Sequence, residues 1–129
     1  MAVFQHLDPV ENAACATETA LALLAATDRL NRENTEQPIE VHIGISSGVA
    51  LVGSTQLHGR HGTRWVFSAS GQHVNVAARL AGIAQPGQIL VSPATRRRLG
   101  NCYVVESGGT RKLKNIEEDI ETFRVVRRA

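Results

Sequence analysis

Ser68-Ala69-Ser70-Gly71-Gln72-His73-Val74-Asn75-Val76-Ala77-Ala78-Arg79-Leu80 is the stretch on which the reading of this chain turns. It leaves a β-like run, bends at Gly71 and enters a segment of helical periodicity. Val74, Ala77, Ala78 and Ala81 recur at the spacing of a stripe packed on a core. Asn75 and Arg79 are four apart, so a helix stacks them on one face beside that stripe. An amide and a planar guanidinium aimed the same way can clamp phosphate oxygens or developing negative charge. A second reading stands beside the first: an Asn near a helix start can simply close the first turn, and a helical Arg can be solvated. Spacing alone leaves both open.

Working outward toward the N-terminus, Arg64-Trp65-Val66-Phe67-Ser68 reads as a strand and Ser54 to Gly62 as a loop. That loop carries His58 and His61, two imidazoles without the third ligand that a metal site requires. Val41-His42-Ile43-Gly44-Ile45 alternates as a strand, and Gly48 to Gly53 continues it or forms another. Asp8-Pro9-Val10-Glu11 has the form of a helix start with a capping box. The helix runs to about Asn31, with Val10, Ala13, Ala14, Thr17, Leu21 and Leu24 on its inner face. Met1-Ala2-Val3-Phe4 suits a buried strand.

Toward the C-terminus, Gln85-Pro86-Gly87 stops the helix. Gln88-Ile89-Leu90-Val91 is a buried strand, and Ser92-Pro93 opens a short helix to about Leu99. Tyr103 to Glu106 and Arg111 to Lys114 flank Ser107-Gly108-Gly109-Thr110 as a hairpin, and Ile120 to Val126 is the last strand. The expectation is an α+β sandwich, one sheet with helices on one face.

The 129 residues fit one domain, residues 1–129, with neither repeat nor linker. A net charge of +2 gives no case for nucleic acid as a partner. Arg96-Arg97-Arg98 and Arg127-Arg128 read as a solvated helix face and tail. Cys15 and Cys102 fit no metal or redox spacing and read as reduced thiols. Residues 1 onward do not read as a charged-then-apolar secretory leader, and the apolar run Ala20 to Ala26 is too short to cross a bilayer. A cytoplasmic domain without membrane contact of its own is therefore expected.

With the elements placed, the chain resembles the C-terminal two-thirds of a class III nucleotide cyclase domain, the adenylyl/guanylyl cyclase family. Val41 to Gly48 resembles that family's "v-x-I-G-I-x-x-G" strand, and Met1 to Phe4 its third strand. Gly71 to Leu80 resembles "G-x-x-V-N-x-A-a-R-L", Pro86 to Ser92 resembles "p-G-q-I-l-v-S", and Leu113-Lys114-Asn115 sits where "L-K-G" is common. Four ordered motifs at near-family spacing are specific where one would not be.

The resemblance implies a ferredoxin-like βαββαβ core, here without the family's N-terminal strand and helices. It also implies head-to-tail pairing, as a homodimer or with a second cyclase domain, and sites at the interface. The implied reaction converts a nucleoside triphosphate, ATP before GTP, into the 3′,5′-cyclic monophosphate and pyrophosphate, with Mg²⁺ or Mn²⁺ as cofactor. By motif, Asn75 would orient the ribose and Arg79 would take charge on the α-phosphate. Arg64, Ser68 and Gly71 are the expected substrate-binding positions; Arg64 and Ser68 stand where many adenylyl cyclases carry a base-reading Lys and Asp. The alternative for those two is that they only complete a strand. Both metal-binding aspartates of the family fall upstream of residue 1, and Asp8 is a helix cap instead. A phosphate-contacting Lys of some members falls on Ile116. The chain alone is thus expected to be inactive, acting in trans with a partner that carries the metals. The alternatives are a non-catalytic cyclase-homology module that binds nucleotide or dimerises, and an inactive truncated product that folds by self-pairing.

Overall fold

A computed structural model describes residues 1–129. Helix α1 spans Pro9–Glu33, followed by strands β1 (Ile43–Ile45), β2 (Leu51–Gly59) and β3 (Gly62–Ser70). Helix α2 (Gln72–Ile83), strand β4 (Ile89–Val91), helix α3 (Pro93–Leu99) and strands β5 (Tyr103–Arg111) and β6 (Ile120–Arg128) complete the chain. Four strands form one mixed sheet in the order β1-β4-β6-β5; β2 and β3 form a separate antiparallel ribbon.

Ile89-Leu90-Val91 is the centre of the sheet. It pairs parallel with β1 and antiparallel with β6, and all three side chains are buried. Successive strand residues point to opposite faces, so a run buried on both sides has no polar position. Ile89 and Val91 meet Ala13 and Ala20 of α1 and Leu99 of α3. Leu90 meets Val76, Leu80 and Ala84 on the other side. The α+β class with a mixed sheet is present as expected. The helices are divided, however: α1 and α3 cover one face and α2 the other.

Asp8 caps α1, its Oδ1 accepting from the Val10 amide at 2.8 Å. Glu11 closes no capping box: it pairs with His6 Nε2 at 3.1 Å, while His6 Nδ1 accepts from the Asp8 amide. The buried face of α1 is Ala13, Ala16, Thr17 and Ala20, and Val10 is exposed. No helix is long and apolar enough to cross a membrane.

Three local expectations are corrected. Met1 to Phe4 forms no strand, although Val3 and Phe4 are half-buried. The stretch Ser54 to Gly62 is no loop but most of β2 and the tip of a ribbon, with Gly59 opposite Gly62 and only Arg60 and His61 in the turn. The Ser107 to Thr110 turn does not exist either; β5 runs straight through it and pairs with β6. The ladder slips between Ser107 and Gly109, where Gly109 adopts φ +82°. A Cβ on Gly108 would crowd Thr122 of β6. These glycines serve a bulge and a close approach, which locally resemble a turn signal.

Candidate active site

The ribbon delivers the chain to α2 without a connecting loop. Gly71 makes the corner at φ +129°, a conformation L side chains rarely adopt, and is itself the N-cap of α2. No side chain caps this helix. Asn75 therefore does not close the first turn; only its backbone amide takes part, donating to the Gly71 carbonyl at 3.2 Å.

The core side of α2 is Val76 and Leu80, continued by the C-cap Ala84, not the alanine-rich stripe read from the sequence. Of that stripe, Ala78 is exposed, while Ala77 and Ala81 lie over Gly44 of β1. A Cβ on Gly44 would collide with the Ala77 carbonyl and the Ala81 amide. The helix is thus drawn onto β1 by the missing side chain, and His42 Nδ1–H, donating to the Ala81 carbonyl at 2.6 Å, fastens the far end. Asn75 and Arg79 each precede a core residue by one position, about 100° around the helix. Asn75 is exposed, Arg79 half-buried, and Arg79 belongs to none of the chain's ion pairs.

Beside Asn75 opens a cavity of about 470 Å³ lined by Gly71, Gln72, Asn75, Asn115, Ile116, Glu117 and Glu118. The structure thus brings Gly71 and Asn75 to one site, with Arg79 a turn further along the same helix. It does not bring Arg64 or Ser68 to that cavity. Both sit on the ribbon, Arg64 exposed opposite Leu57 and Ser68 half-buried opposite Gly53, on one face of it. His58 and His61 lie at the ribbon's tip, and His58 Nδ1 meets only the Thr63 hydroxyl, at 3.4 Å.

Sequence reading missed the loop between β5 and β6. Asn115, at φ +62°, turns the backbone so that Glu117 and Glu118 face the head of α2, and Ile116 is buried in the α2-side core. Asn115 after Leu113-Lys114, with the acidic run Glu117-Glu118-Asp119 just beyond it, was the available signal for a turn. Nothing local says that the turn meets residues 71–75. Lys112 is held by the loop itself, its Nζ donating to the Glu117 carbonyl, and neither Lys112 nor Lys114 lines the cavity.

No three carboxylate, imidazole or thiol groups converge closely enough to hold a metal ion. Asp8 is spent on the α1 cap. The residues of this chain do not fit the two-metal centre that the resemblance implies, and no step through a metal is derived from them. The perturbed ionisations lie elsewhere, on the α1 face of the sheet. Tyr103 donates to Glu18 Oε1 at 2.7 Å, and Arg128 Nε pairs with the same oxygen at 2.7 Å. Burial, then Glu18, pushes the Tyr103 hydroxyl up to about 12, and the Tyr103 bond pulls the Glu18 carboxyl below its usual range.

This is an α+β domain with a mixed sheet between helices and an Asn/Arg pair on the helix that follows a β-ribbon. A profile of the adenylate and guanylate cyclase catalytic domain matches residues 1–127, and the chain belongs to that family. The adenylyl cyclase CyaB of P. aeruginosa superposes with a TM-score of 0.82 at 22% identity, over 95% of this chain and 62% of CyaB. The guanylate cyclase domain of RhGC from Catenaria anguillulae, in complex with GTP, gives 0.76 at 22% identity, over 96% of this chain and 64% of that one. In sequence, a pH-sensitive adenylate cyclase of Mycobacterium tuberculosis is 39% identical over 64 residues, 46% of this chain and 16% of that protein. The chain spans 11% and 16% of the length of two curated relatives that it matches.

Proposed function

We propose that this chain is the Asn/Arg half of a nucleotide cyclase site that turns ATP into 3′,5′-cyclic AMP and pyrophosphate. The observation that carries this reading is the pair itself: Asn75 and Arg79 stand one turn apart on α2, beside an open cavity. Asn75 hydrogen-bonds and orients the ribose. Arg79 neutralises charge gathering on the α-phosphate oxygens as the 3′-oxygen attacks, an electrostatic role worth most where water is excluded. ATP is preferred to GTP on the local likeness to an adenylate cyclase. Arg64 and Ser68 reach the base only from the ribbon, if the partner closes against it.

The divalent ions, Mg²⁺ or Mn²⁺, come with a partner cyclase domain that bears the aspartates, so the chain is silent alone and works in trans. The absence of any metal-holding cluster here favours one alternative, a cyclase-homology module that binds nucleotide or dimerises without turnover. The test is cyclic AMP formation from ATP and Mn²⁺. It compares the chain alone with the chain mixed with a cyclase domain that keeps its aspartates but lacks its own Asn and Arg. Activity only in the mixture supports the proposal. ATP binding without activity in a folded mixture supports the alternative.

A further inference from the structure

His73 is a polar residue at the head of the inward face of α2. It stands three, four and seven residues before Val76, Ala77 and Leu80, so the helix turns it toward β1 and away from Asn75. Its imidazole rests on Gly48, where an added Cβ would fall within the ring. His73 is half-buried and, unlike His6, His42 and His58, its ring has no hydrogen-bond partner. The contact is one of packing, a flat ring on bare backbone. Gly48 is itself held from the other face of the sheet. The neighbouring Ser47 hydroxyl meets Thr95 Oγ1 at 2.7 Å, and Thr95 Oγ1 meets Ser92 Oγ at 3.1 Å, all three residues being buried. The Ser92 amide donates to the Ile45 carbonyl at 3.0 Å, which fastens the end of β1 to the start of α3. Beyond Gly48, the main chain of Val49 and Ala50 passes beside Gly71, the corner that lines the cavity with Asn75.

We propose that His73 is a positioning residue for the nucleotide site: seated on Gly48, it fixes the first turn of α2 and, through that turn, the aim of Asn75. The turn has no side-chain cap to hold it. Without the imidazole it can tilt toward the Ser47–Gly48 link and carry Asn75 with it, and a shift of about 1 Å at a positioning group is enough to cost rate. The effect belongs to the Asn75 end of the helix. Arg79, between Ala77 and Ala81, is placed by the Gly44 approach and the His42 bond instead. This inference rests on reading Asn75 as the ribose-contacting residue.

The test compares the full chain with its His73→Ala, His73→Phe and Gly48→Ala variants by amide hydrogen exchange and by kinetics in the trans cyclase assay. Gly48 is exposed and does not hold a left-handed backbone, so Ala at 48 displaces the imidazole without straining the chain, and this variant carries the test if His73→Ala fails to fold. The expected result for His73→Ala and Gly48→Ala is faster exchange at Asn75 to Ala77, the first hydrogen-bonded amides of α2, with β4 unchanged. In the assay both should raise KM and lower kcat, for a loss of about 10-fold in kcat/KM, and His73→Phe, which keeps a flat ring, should restore both constants. On an Asn75→Ala background, His73→Ala should add no further loss, because it acts through Asn75. Wild-type exchange and kinetics in both variants overturn the inference and leave the Asn75 reading standing. Faster exchange with unchanged kinetics, or a loss that adds fully to that of Asn75→Ala, also overturns it and makes His73 a structural residue only. A wild-type mixture that is folded but silent overturns the Asn75 reading, and the role of His73 with it.

Discussion

At the scale of single residues, the site depends on two side chains that point outward and one that is missing. In the proposed trans reaction, Arg79→Ala removes a donor aimed at charge that develops only in the transition state. Turnover should fall by about 10²-fold or more, as for other oxyanion-stabilising groups, with binding of the partner domain unchanged. Asn75→Ala should raise KM and lower kcat together, because misplaced ribose costs alignment as well as affinity. No effect of Arg79→Ala on a measured trans activity would refute its assigned role. Gly44 matters for another reason. Its Cβ position is filled by the α2 backbone, so Gly44→Ala must push the helix off β1 and is expected to cost about 1–3 kcal/mol of stability, read by denaturant unfolding. Because α2 carries Asn75 and Arg79, the same substitution should lower trans activity without touching the ligand.

At the scale of elements, α1 is tied to the sheet by small residues and one polar knot. Ala13, Ala16 and Ala20 let it lie close, and Glu18 joins Tyr103 on β5 to Arg128 on β6. Tyr103 is 6% exposed, so its hydroxyl loses a needed partner when Glu18 is removed. Tyr103→Phe should cost about 1 kcal/mol, the net worth of an ordinary hydrogen bond. The folded-state ionisation of Tyr103, about 12, lies above its ordinary value of 10.0. Its contribution to stability is therefore complete below pH 10 and is lost as the pH rises through about 12. Phenolate absorbance should report that late ionisation, and Tyr103→Phe should flatten the alkaline loss of stability in this window.

At the scale of the whole molecule, the β2–β3 ribbon stands apart from the four-stranded sheet and exposes apolar side chains on both faces. Trp65 is 65% and Phe67 61% exposed on one face, and Leu51 and Leu57 lie on the other. An isolated two-stranded ribbon is barely stable in water, and a patch of this kind belongs to an interface. Under the proposed pairing with a second cyclase domain, emission from Trp65, the only tryptophan, should shift to the blue as protein or partner concentration rises. Trp65→Ser should weaken that association while leaving the monomer's helical signal intact. An emission maximum independent of concentration, with activity present in the mixture, would place the contact elsewhere.

What the sequence determined by itself is local or motif-borne. The helix start at Asp8-Pro9, the buried run Ile89-Leu90-Val91 and the cap at Ser92 are legible because caps and periodicity act over a few residues. The shared face of Asn75 and Arg79 follows from helix geometry alone, and the ordered motifs carried the family. The tertiary structure decided the rest. Three alanines in α2 could not say which side is buried, and Val76 and Leu80 settle it only against Leu90 and Ile116. Ser107 to Thr110 resembles a turn until Thr122 lies across it. The meeting of Glu117 and Glu118 with Gly71 and Asn75 joins segments some forty residues apart. No local pattern encodes such a contact, because burial is settled by what packs on an element, and only the folded chain brings that partner to it.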